Sequence, residues 1–133
     1  MPDKMVTAIE DAARARGLDS ATLVAELATD AMKMCQVPGI VIVDGPQGRR
    51  ARVEGTGLDV FEIVQAYLAA HRDRAELTTA FHWLQERQID AALTYFRLFP
   101  EDIDPLLFRS EMEVVEFVEE AWEQHPFMKP ADR

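Results

Sequence analysis

Three arginines fall within four residues, Arg49, Arg50 and Arg52, directly after the turn-forming run DGPQG. Guanidinium groups meet phosphate in a forked, charge-assisted geometry, so this cluster is a candidate phosphate-contacting wing. A second group opens a periodic segment, with Gln85, Glu86, Arg87, Gln88 and Asp90 in one turn and a half. Arginine and glutamine can read guanine and adenine edges, which makes Gln85, Arg87 and Gln88 candidate DNA contacts, while the two carboxylates beside them oppose phosphate. A third group is acidic and aromatic: Glu111, Glu113, Glu116, Glu119, Glu120 and Glu123 surround Phe117 and Trp122. Its sign suits a basic protein surface, with Glu113, Glu116 and Glu120 steering and Phe117 and Trp122 as anchors, since affinity concentrates in buried aromatics.

Each group also has a plainer reading. The arginines can pair with local acids at a hairpin tip, and the periodic segment can be a helix that only builds a core. The acidic segment can pack on its own domain through Val114, Val118 and Trp122. Other chemistry finds less support. His71, His82 and His125 are scattered, without the ligand spacing of a metal site. DGPQG lacks the Gly-Lys-(Ser/Thr) of a phosphate loop, which argues against nucleotide binding. Cys35 has no base nearby in sequence and is expected to be an inert, partly buried thiol. No pair of carboxylates is spaced for acid-base work. The expectation is a protein that is not an enzyme and needs no cofactor or metal.

Elements must position these groups. Residues 3 to 34 predict two helices, the first with Met5, Ile9, Ala12 and Ala13 on one face and Gly17 as its stop. Asp19 is the expected N-cap of the second, whose stripe is Leu23, Val24, Leu27 and Ala31. IVIV, the DGPQG turn and RRARV then predict a β-hairpin, with Ala51 and Val53 opposite a basic outward face of Arg50 and Arg52. Three helices follow. The first opens on Asp59 and Glu62 in capping-box spacing and buries Phe61, Val64 and Leu68, with Ile63 and Tyr67 beside them. The second opens on Asp73 and Glu76 and buries Leu77, Ala80 and Phe81. The third repeats Ile89, Ala92, Leu93 and Phe96 behind Gln85, a poor cap by residue type. A short helix, a tight linker and a helix with an exposed polar start make a helix-turn-helix. Pro100 is expected to interrupt the chain, with Asp104 and Pro105 as N-cap and first residue of a last, acidic helix.

Charge and length bound what such a protein could do. The 133 residues carry a formal net charge of −10, with hydrophobic content of 48% and charged content of 29%, within the ordinary globular range. From Pro100 onward ten Asp or Glu face only Arg109, Lys129 and Arg133, a net of −7, whereas residues 1 to 99 come to −3. The front can therefore meet phosphate locally while the tail repels it. No apolar run reaches a membrane span, MPDKMVTAIE lacks the order of a signal peptide, and a lone cysteine gives no internal disulfide. These point to a cytoplasmic location without membrane partners.

At GIVIVDGPQGRRARVEGTGLDVFEIVQAYLAA and FHWLQERQIDAALTYFRLFPEDID the chain resembles the domain-of-unknown-function 433 family, small prokaryotic proteins classed with VapB-like antitoxins. The matching features are Gly55-Thr56 after the hairpin and Asp59-Val60 into a helix. Leu84, Ile89, Ala92 and Leu93 match in the third helix, then Tyr95, Pro100, Glu101, Ile103 and Asp104. The likeness covers roughly residues 38 to 104. The family commonly caps the third helix with Thr or Ser, where this chain has Gln85. Residues 3 to 34 are similar to the helix pair of a ribbon-helix-helix antitoxin, whose DNA-reading strand precedes the first helix. Only Met1 and Pro2 stand there, so either that strand lies upstream or the pair serves dimerisation alone.

The resemblance implies an antitoxin of a type II toxin-antitoxin pair, a homodimer that binds operator DNA and a basic, nuclease-like toxin. The alternative is a protein-interaction or dimerisation module on a helix-turn-helix scaffold that does not bind DNA. The expected fold is mainly α with one β-hairpin. A helix pair at 1–36 would serve dimerisation, 37–104 would hold the hairpin and helix-turn-helix, and 105–133 would be an acidic helix and tail.

Overall fold

The structure, a computed structural model, describes residues 1–45 and 48–124, leaving aside the side chains of 110–119, 121 and 122. Pro46 and Gln47 in the expected turn, and the run from His125 onward, thus lie outside the described residues. The fold is mainly helical with one antiparallel hairpin, as the periodicities predict.

A helical pair comes first, α1 (Asp3–Ala15) and α2 (Ser20–Gln36). Gly17, at φ +68°, takes the left-handed conformation that lets the chain turn back between them. Asp19 caps α2 by accepting a 2.7 Å hydrogen bond from the Thr22 N–H, and hydrogen bonding by the Thr22 side chain first, and by this N–H next, holds its carboxyl below the ordinary aspartate range. The hairpin pairs β1 (Ile40–Gly45) with β2 (Gly48–Val53) in the register Ile40↔Val53 through Gly45↔Gly48. As the alternation predicts, Ala51 and Val53 point into the core.

Then come α3 (Val60–Ala69), α4 (Arg74–Ala80), α5 (Glu86–Leu98) and α6 (Pro100–Gln124). The core sits where α3 and α5 pack on the hairpin, and Val60, Ile63, Val64, Leu77, Ile89, Ala92 and Tyr95 are all buried. Leu84 in the linker before α5 and Ile103 early in α6 close its ends.

Several details differ from the sequence expectations. Of the α2 stripe only Leu23 is buried, while Val24, Leu27 and Ala31 are exposed. The reason is electrostatic: Asp30 and Lys33, beside Leu23 on the inward side of the helix, pair with Arg49 and Asp102, which leaves Val24, Leu27 and Ala31 turned away. For the same reason Cys35, expected to be partly buried, is exposed. In α3 the fully buried positions are Val60, Ile63 and Val64, with Phe61, Tyr67 and Leu68 packed at the margin. Ala80, at the end of α4, is exposed.

The last helix begins at Pro100 rather than at Asp104–Pro105. Phe99, at φ −130° and ψ 57°, makes the break. Pro100 takes the first helical position, where a missing N–H costs nothing. Pro105 is then accommodated inside α6, because the carbonyl it deprives of a partner belongs to exposed Glu101 and can turn to solvent. The expected boundary at 104/105 therefore falls within a helix, whose Leu107 still packs against the core.

Candidate nucleic-acid interface

The three arginines of the expected wing do not stand free. Arg49 is ion-paired with Asp30 of α2 and lies 3.7 Å from Asp44 across the hairpin. Arg50 reaches Asp59 at 3.4 Å, with its guanidinium 5.2 Å from the Phe61 ring centre, and Arg52 reaches the same carboxylate at 3.2 Å. Asp59 is the one buried charged residue among those described, and it does three things. It precedes α3 in a reciprocal capping box, its N–H donating to Glu62 Oε2 at 3.1 Å. It forms an isolated bridge with Arg52, and its carboxylate binds both β2 guanidinium groups. Alternation does turn Arg50 and Arg52 away from Ala51 and Val53, but α3 and its cap lie over them. The outward basic face is thus a half-buried, self-neutralised contact between hairpin and helix.

At the start of α5 the expected DNA-reading side chains are also engaged. Gln88 Oε1 accepts from the Gln85 N–H at 2.8 Å, and Arg87 Nε donates to Gln85 Oε1 at 2.6 Å. Gln85 and Gln88 thus stand in capping-box positions, with the Gln88 side chain taking the Gln85 N–H, while the Gln85 side chain makes no cap hydrogen bond of its own. Arg74 of α4 pairs with Asp90 at 2.7 Å and offsets one of the two carboxylates on this turn. Trp83, in the linker between α4 and α5, is 60% exposed and packs edge-on against Phe81 and His82.

The two groups do not form one surface. Arg87 and Gln88 border an open cleft of about 510 Å³ with Pro38, Gly39, Glu54 and Gly55, at the open end of the hairpin. Arg49 and Arg50 line a different cavity of about 150 Å³, with Asp30, Lys33, Tyr95 and Asp102. No family model matches the chain, and no match was found among curated proteins or solved structures. The family likeness therefore stands on the quoted residues alone.

Among the partner-binding candidates, Glu120 is exposed on α6, whereas the side chains of Glu113, Glu116, Phe117 and Trp122 lie outside those described. Among the described residues no three His, Cys or carboxylate side chains gather as a metal site, and no helix is long and apolar enough to cross a membrane.

One polar cluster carried little sequence signal. Tyr95, 1% exposed, donates its hydroxyl to Asp102 Oδ2 at 2.5 Å, and Lys33 Nζ meets the same oxygen at 2.8 Å while lying over the Phe99 ring. This cluster ties α2, α5 and α6 together. The only hint in the sequence is a tyrosine inside the apolar stripe of α5, with an aspartate seven residues on across Pro100. Burial, and next the hydrogen bond to the Asp102 carboxylate, push the Tyr95 phenol well above its ordinary range.

A raised folded-state pKa contributes stability in full below the unfolded value near pH 10, and that contribution is lost as pH climbs above it. Denaturant unfolding at pH 8 and about pH 10.8 should cost wild type about 1 kcal/mol more than Tyr95→Phe across that interval. At pH 8 Tyr95→Phe should itself be about 1 kcal/mol less stable, having lost a hydrogen bond to a charged acceptor. Equal alkaline losses in the two proteins would refute the assignment.

Proposed function

We propose that the protein is a protein-binding module on a helix-turn-helix scaffold, of the antitoxin class that the resemblance implies, with a basic, nuclease-like protein as its partner. One observation carries this reading. All six side chains expected to meet DNA, those of Arg49, Arg50, Arg52, Gln85, Arg87 and Gln88, already have ion-pair or hydrogen-bond partners within the chain. At the three hairpin arginines a phosphate would have to displace carboxylates held in place by the fold, in a chain that is already strongly anionic. The largest unbalanced charge lies instead at the other end, where residues 100 to 133 carry a net of −7. A protein that binds RNA presents a basic surface of the opposite sign, and complementary fields speed and orient such encounters.

The second reading, autoregulation through operator DNA, draws support from α5. Its first turn is exposed at Glu86 and Arg87, and Arg74 offsets Asp90 beside them. One experiment separates the two. Full-length protein and a Glu113→Lys/Glu116→Lys/Glu120→Lys variant are co-expressed with the product of the adjacent gene, and each is also titrated with its own promoter. The expected result is a stable complex for wild type and an affinity at least about 100-fold weaker for the variant, since rim charge reversal adds repulsion to the lost attraction. Unchanged partner affinity sinks the first reading, and tight promoter binding by wild type without a partner establishes the second. Shortened chains should end after Arg109, because a cut after Asp104 would remove Leu107 from the core.

A further inference from the structure

The fold treats the two edges of the hairpin differently. The Val53 N–H donates to the Leu58 carbonyl and the Glu54 N–H to the Gly39 carbonyl, both at 2.9 Å. Those two bonds set the parity of the antiparallel ladder, in which residues alternate between bonding the facing strand and pointing away from it. Gly39 bonds across to Glu54, so Val41 and Val43 bond to Arg52 and Arg50, while Ile40, Ile42 and Asp44 turn their N–H and C=O groups outward. Beyond β2 the chain itself takes up the outer edge, where Val53 meets Leu58 and Arg52 forms a bridge with Asp59. Beyond β1 the Ile40 N–H donates to the Val37 carbonyl at 3.2 Å. Among the described residues, however, nothing bonds the main-chain N–H or C=O of Ile42 or Asp44.

This edge is also unguarded. Natural sheets blunt an open edge with proline, lysine, a bulge or a covering loop, because a row of unpaired N–H and C=O groups accepts any extended chain. Ile40–Gly45 reads IVIVDG, without proline or lysine, and its register against β2 runs unbroken. Val41, Ile42 and Val43 are each half-buried rather than sealed in the core.

We infer that the outer edge of β1 takes an extended segment of the basic protein partner as a third strand. The inference rests on the protein-binding reading and adds a register to it. Charge speeds and orients an encounter, whereas a ladder of main-chain bonds fixes how the two chains align. Charge also selects the occupant: a second copy of this chain brings another −10 to the contact, and a basic partner brings the opposite sign. The incoming strand exchanges bonds with Ile42 and Asp44. It lays alternate side chains beside Val41 and Val43 on one face and beside Ile42 on the other. Those neighbours are uncharged and β-branched, so they favour a segment with apolar, β-branched residues at alternate positions.

Amide hydrogen exchange on the full-length protein, alone and in complex with the product of the adjacent gene, reads this edge directly. Alone, the Ile42 and Asp44 amides should exchange at least about 100-fold faster than those of Val41 and Val43, and in the complex they should slow at least about 100-fold. Asp44→Pro removes an outward N–H without touching the β1–β2 ladder, and Asp44→Ala removes the same carboxylate but keeps the N–H. The proline variant should therefore bind the partner at least about 10-fold more weakly than the alanine variant. A complex in which both amides stay fast, or equal affinities for the two variants, overturns the inference and leaves the protein-binding reading standing. Slow exchange at both amides in the protein alone, or protection that rises with its own concentration, shows the edge already filled and overturns it too. No complex at all defeats both.

Discussion

Replacing Asp59 with alanine should lower the stability of the whole chain by about 3 kcal/mol, a large part of what a domain of this size possesses. Two losses combine. An N-terminal cap is worth about 1 kcal/mol. Removing the carboxylate that two half-buried guanidinium groups share costs roughly 1–3 kcal/mol. Of the two, Arg50 is the less able to turn to water, its side chain being 17% exposed against 41% for Arg52. Thermal unfolding should fall by about 10 °C. Asp59→Asn keeps a capping side chain but not the charge, and should cost roughly half as much. The measurement is denaturant unfolding of the two variants beside wild type. A loss below about 0.5 kcal/mol for Asp59→Ala, the scale of a surface substitution, would mean that the arginines are satisfied without this carboxylate and are available to a ligand.

Two faces of one turn of α5 should respond very differently. Ile89 is fully buried among α3, the hairpin and α5 itself, so Ile89→Ala should cost about 3–4 kcal/mol, the transfer of its lost methylenes plus the cavity left behind. Arg87, two residues earlier, is exposed and bonds only Gln85, so Arg87→Ala should change stability by less than about 0.5 kcal/mol. Calorimetry on both proteins checks this. Comparable losses would show that α5 is not the two-faced helix described. The contrast also serves the functional question, since Arg87→Ala can then be used against DNA or a protein partner in a chain that is still folded.

Local rules alone fix much of this molecule. Gly17, Asp19, Asp59 with Glu62, and Asp73 mark helix ends by side-chain chemistry that acts within four residues, and each occurs where the sequence predicts. The hairpin and its inward Ala51 and Val53 follow from strict alternation, and Ile89 and Ala92 from helical spacing. What the arginines do was decided by tertiary structure. Arg49 meets its carboxylate 19 residues away in α2, and Lys33 meets Asp102 across 69 residues, separations at which periodicity is silent. Charge composition identifies an acidic chain with a basic patch, but not which acids lie within 4 Å of that patch. The orientation of α2 was settled in the same way. Its apolar stripe predicts burial, yet two long-range ion pairs hold Asp30 and Lys33 inward beside Leu23, and that turns Val24, Leu27 and Ala31 outward.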